Sequence, residues 1–179
     1  MIKEFSFKQL IWLLPLVFII HNFEEGITMQ QWLGGHSSTI PNILNLQLPL
    51  WFWLHFAKIR TTSLIIATIV PSLAILLIPF LKTNKFPAYI LCITAWLIII
   101  NSVQHIILTL FLRIYTPGVV SAILINLPFG LLLLNTLNNN QKWILPKKSK
   151  WFLLSLLIYP VFMLAIWGIS TLVVKIIFL

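Results

Sequence analysis

Residues 88–112, AYILCITAWLIIINSVQHIILTLFL, run for 25 positions without one charged side chain. A hydrocarbon core about 30 Å thick is crossed by roughly 20 apolar residues in α-helix, the form in which a single segment satisfies all its own backbone hydrogen bonds. The same pattern recurs, and it predicts spans over 8–29, 61–81, 88–112, 117–137 and 151–177. Of the 179 residues, 60% are hydrophobic and 8% charged, and the mean hydropathy is +1.02, which excludes a water-soluble domain. The expected fold is all-α: one polytopic membrane helix bundle of about five transmembrane helices, occupying 1–179 as a single domain. Lys3 and Lys8 precede the first run, but no small-residue cleavage site follows, so that run is expected to stay as a helix. Cys92 is the sole cysteine and leaves no internal disulfide.

Between the first two spans, LPLWFWLHFAKIR carries aromatics followed by Lys58 and Arg60, the composition of a segment lying in the headgroup zone. The polar stretch NTLNNNQKWILPKKSK is expected to be a solvated loop before the last span. Lys3, Lys8, Lys82, Lys85, Lys142, Lys147, Lys148 and Lys150 fall on one side of this topology, and Lys58, Arg60, Arg113 and Lys175 on the other. The positive-inside rule then predicts a cytoplasmic N-terminus and an external C-terminus in a multi-pass membrane protein. The formal charge of +9 is scattered at span ends, where anionic lipid headgroups account for it. Membrane lipids are therefore the expected partners, and no nucleic-acid signature is present.

Polar residues inside the spans are the functional signal. FIIHNFEEGITMQ places His21, Glu24 and Glu25 at the end of an apolar run. On an α-helix, His21 lies one turn from either glutamate, although the two glutamates diverge by about 100°. Charged groups at helix centres cost on the order of 3 kcal/mol each on insertion scales and generally face a bundle interior or a wet cavity. In the third span, Asn101 and His105 again share one helix face, and Asn126 lies in the fourth. At about 1.5 Å per residue from the outer span ends, His21, His105, Asn101 and Asn126 come to about 12, 10, 16 and 13 Å deep. Three helices thus deliver polar groups to one level. His36 and His55 fall in the connector and are expected to stay outside that level. The link RIYTPG between spans three and four is a tight turn: Pro117 disfavours helix at Thr116, and Gly118 can adopt conformations closed to other residues. Tyr115 is expected at the interface, as an anchor or at the mouth of the polar level.

His21, Glu24 and Glu25 spell H-x-x-E-E, Asn101 and His105 spell N-x-x-x-H, and YTPGVVSAILINLP follows from Tyr115. In these motifs and their order the chain resembles the HXXEE-domain family of small bacterial and archaeal integral membrane proteins, whose activity is not established. The residues themselves support two kinds of chemistry on a lipid-like substrate entering from the bilayer. In one, His21, His105 and Glu25 ligate a divalent metal such as Zn, with Glu24, Glu25, Asn101 and Asn126 as the catalytic set. In the other there is no metal, and neighbouring carboxyls with separated titrations serve as acid and base, with His105 as partner. The spacing departs from the H-E-x-x-H helix of zinc proteases. A non-enzymatic ion- or proton-binding protein, as regulator or transporter component, is the alternative from another class.

Overall fold

The computed structural model describes residues 7–36, 50–80, 85–139 and 148–178, and all its regular elements are helical. They are α1 (Phe7–His36), the single turn α2 (Leu50–Leu54), α3 (Phe56–Leu77) with a 3-10 turn at Ile78–Phe80, and α4 (Lys85–Leu112). After the link 113–118 come α5 (Val119–Ser121), a π-helical turn (Ala122–Asn126), α6 (Leu127–Asn139) and finally α7 (Lys148–Phe178). Five stretches are long and apolar enough to cross a membrane: Gln9–Gly35, Phe56–Phe80, Phe86–Leu112, Val119–Asn139 and Lys150–Phe178. The chain is a multi-pass helical membrane protein.

The five spans close into a ring. α1 packs on α3 and on the α5–π–α6 span, α3 on α7, α7 on α4, and α4 on α6. Proline lies inside α1, α3 and α7 at Pro15, Pro71 and Pro160, tolerated as in other membrane helices. At one end of the ring, Leu10, Ile11 and Leu14 of α1 meet Ile75 and Ile78, Leu91, Cys92, Ala95 and Ile98 of α4, and Leu133 and Leu137 of α6 in a continuous apolar core. Close approach of α4 and α6 there depends on Gly130, where a Cβ would lie 2.8 Å from Ile99 Cγ1 and 3.2 Å from the Ala95 carbonyl oxygen.

Two elements differ from the sequence expectation. α3 begins at Phe56, so Lys58 and Arg60 belong to the second span rather than to a segment lying flat in the headgroup zone. Each charge finds a partner there: Lys58 Nζ lies 3.5 Å from the Phe178 ring centroid, and Arg60 pairs with Glu25. Only Leu50–Leu54 remains as a separate turn before the span. The fourth span is also not a plain α-helix, because Leu127 N–H bonds to the Ala122 carbonyl five residues back, just ahead of Pro128. Residues 37–49 of the connector, the loop 140–147, and Lys3, Lys82, Lys142 and Lys147 of the charge pattern lie outside the described residues.

Candidate functional site

Opposite the apolar core, where α1 ends and α3 begins, all five spans contribute polar groups. His21 and Glu25 stand one turn apart on the inward side of α1, each only 4% exposed, while Phe23 and Ile27 on the same helix face outward. α3 runs antiparallel and brings Arg60 onto Glu25 Oε1 in an ion pair. Glu25 Oε2 lies 4.0 Å from His21 Nε2. From α4, His105 meets His21 edge to face, with ring centroids 5.0 Å apart. Ligand atoms of His21, Glu25 and His105 all fall within 4.8 Å of one another.

Hydrogen bonding fixes the state of His21. Ser121 Oγ donates its one proton to Glu24 Oε2 and lies 2.9 Å from His21 Nδ1. With the hydroxyl proton committed, Nδ1 is the donor and Nε2 carries the lone pair. That Nε2 is buried and makes no direct hydrogen bond, with the Asn101 side chain the nearby polar group that interacts with the ring. The nitrogen lies 4.0 Å from Glu25 Oε2, and a ring nitrogen of His105 belongs to the same group of ligand atoms.

Glu24 is fully engaged. Its Oε1 accepts from Tyr115 Oη at 2.8 Å and from Val120 N–H at 3.3 Å, and its Oε2 accepts from Ser121 N–H at 2.7 Å besides the Ser121 hydroxyl. Gly118 is the N-cap of α5, so Val120 and Ser121 are the second and third helical positions, whose N–H groups have no intrahelical acceptor. A carboxylate from another span supplies the cap and favours the positive end of the helix dipole. Tyr115 lies in the link between spans; partial burial, opposed by Thr28 and reinforced by its bonding to Glu24, raises its phenol above the ordinary range and keeps it a donor.

The glycine of Y-x-P-G has a positional reason. Gly118 has φ +85°, and a Cβ there would sit 2.9 Å from His105 Cε1 and 3.1 Å from His21 Cε1. Both the left-handed backbone and the contact with two imidazoles exclude a side chain.

Asn101, one turn deeper on α4, donates to Tyr159 Oη of α7 at 3.1 Å, and Tyr159 donates to Gln104. Asn126 is buried in the π-helical turn with its Oδ1 unpartnered, and among the described residues no hydrogen bond joins it to either histidine. His55 lies apart and interacts with the Trp51 carbonyl at 2.9 Å, while the side chain of His36 lies outside the described residues. Beside Glu24, a cleft of about 390 Å³ between α1 and the fourth span is lined by Ile20, Tyr115, Val120, Ser121, Leu124 and Ile125.

Arg60, Ser121, Tyr159 and Gln104 were not legible as site residues. Arg60 did leave a signal: a carboxylate buried in a span demands a cation, and Arg60 is one of four on that side of the topology. Ser121 left none, because its role depends on the tight turn that places it beneath α1.

A ring of five membrane-spanning helices around a buried His/Glu/Arg cluster defines the class. The family described as protein of unknown function with HXXEE motif matches residues 12–133, and the chain belongs to it, with His21, Glu24 and Glu25 as the motif. No curated protein and no solved structure matches the chain.

Proposed function

We propose that His21 Nε2, His105 and Glu25 hold a divalent first-row metal of the zinc class, and that the centre does metal-assisted chemistry on a hydrophobic substrate in the membrane. The observation that carries this reading is the grouping of ligand atoms of His21, Glu25 and His105 within 4.8 Å, with His21 Nδ1 held from behind by Ser121 and Glu24. Imidazole ligands of catalytic metals characteristically direct the other ring nitrogen to an oxygen acceptor that fixes their orientation. Two histidines and a carboxylate also leave a tetrahedral ion one open position, as catalytic sites require.

Glu24 in this reading is a positioning residue, since all its contacts are taken by Tyr115, Val120 and Ser121. Glu25 divides its oxygens between Arg60 and the ligand cluster. Asn101, beside His21 and bonded to Tyr159, would orient the substrate, and the buried Asn126 of the fourth span would supply a second polar group for it. The apolar walls of the cleft at Ile20, Leu124 and Ile125 suit an alkyl or isoprenoid chain arriving from the bilayer. We also assign the site to the external half of the membrane, from the eight-to-four distribution of lysine and arginine.

The Arg60–Glu25 pair favours a second reading, in which Glu25 is already neutralised and the cluster does acid and base chemistry without metal. Chelation separates the two. A bound ion stabilises the native state by mass action, so a chelator should lower the thermal midpoint of the wild-type protein and leave His21→Ala/His105→Ala unchanged. An identical midpoint for wild type with and without chelator rejects the metal.

A further inference from the structure

Arg60 is a second recognition element, beyond its pairing with Glu25. A guanidinium carries five N–H donors in a planar fork, and among the described residues this one has a single carboxylate partner. Its charge lies within electrostatic reach of His21, His105 and Tyr159, and its Cζ is 5.7 Å from the Trp167 ring centroid. It therefore stands beside the ligand cluster, which it meets through Glu25.

Charge balance gives this placement a consequence. A divalent ion and Arg60 bring three positive charges, against two negative ones from Glu24 and Glu25. The loaded cluster is left with one uncompensated positive charge inside a membrane bundle, where unpaired charge is expensive. Glu25 shows how that charge can be met: one of its oxygens pairs with Arg60 while the other faces His21 Nε2. A second carboxylate or a phosphate has the same kind of oxygen pair and can bridge the fork and the open metal position.

We propose that Arg60 and the metal held by His21, His105 and Glu25 form an oxyanion subsite that takes the carboxylate or phosphate headgroup of an amphiphile. This rests on the metal reading above and adds the substrate's charge class to it.

Cobalt(II) substituted into purified protein in neutral-lipid nanodiscs reports its ligand set through visible absorption. Decanoate and decyl phosphate should change that spectrum saturably, and decanol should not. Acetate and inorganic phosphate separate the sources: much weaker effects assign the subsite to a lipid-borne headgroup, and equal potency assigns it to a soluble oxyanion bound through the same fork. Arg60→Lys keeps the charge and a partner for Glu25 but loses the planar fork, so it should still bind cobalt while its apparent affinity for decanoate falls roughly tenfold or more. An equal response to decanol, or an unchanged decanoate affinity in Arg60→Lys, overturns the subsite while leaving the metal centre standing. Failure of the wild type to bind cobalt at all removes the metal centre and the subsite together.

Discussion

The two ends of the helix ring obey different physics. At one end, Leu10, Leu14, Ile75, Leu91, Ala95, Leu133 and Leu137 fill the space between helices with apolar side chains, and Trp96 and Trp151 pack against them. Lipid is as apolar as these residues, so shape and close packing hold that end together, as Gly130 against Ile99 illustrates. At the other end, His21, Glu24, Glu25, Arg60, Asn101 and Ser121 are held by paired charges and directed hydrogen bonds, and His105 packs edge to face on His21. Such groups are costly to insert and leave binding chemistry in place, which is why the candidate site lies there.

The contrast can be broken most severely at the ion pair. Glu25→Ala strands Arg60, and removing one partner of a buried pair costs about 3–5 kcal/mol. Glu25→Leu combined with Arg60→Met should recover most of that loss in denaturation measurements, while abolishing metal binding. A single substitution as mild as the double one would show that Arg60 escapes to solvent, contrary to the packing.

At the apolar end, Leu14→Ala should cost about 2–4 kcal/mol by cavity formation, and Gly130→Ala about 1–3 kcal/mol by overpacking. Equilibrium unfolding in mixed micelles checks both. Neither should change metal affinity, because the polar end is built from other residues.

Smaller effects on stability should come with larger effects on binding in the shell around His21. Ser121→Ala releases the Nδ1 proton from its partner and should weaken metal binding about 10–100-fold, measured by titration. Tyr115→Phe removes only one of the contacts to Glu24, from a half-exposed position, and should cost about 0.5–1.5 kcal/mol with little effect on binding. Metal affinity should also fall with falling pH, since both imidazoles and the carboxylate must be deprotonated to ligate.

Hydropathy made the apolar end and the number of spans legible, because helix length and bilayer thickness alone set them. His21, Glu25 and His105 were legible through helical spacing and depth, and the structure brings their ligand atoms together. The start of α3 was not: composition alone cannot tell Arg60 at a membrane surface from Arg60 neutralised by Glu25 one helix away. Nor could spacing divide the labour between the two glutamates. Glu24 is drawn to the N–H groups of Val120 and Ser121, and that attraction arises only once the left-handed Gly118 turns α5 toward α1. Asn126 reached the buried level, but the π-helical turn leaves its carbonyl oxygen without a partner.

Elemental analysis of detergent-purified protein, compared between wild type and His21→Ala/His105→Ala, tests the metal centre most directly. About one divalent first-row ion per wild-type chain and only background in the double variant is the outcome expected of the site. Equal trace levels in both proteins, after growth and purification in metal-sufficient media, would contradict it.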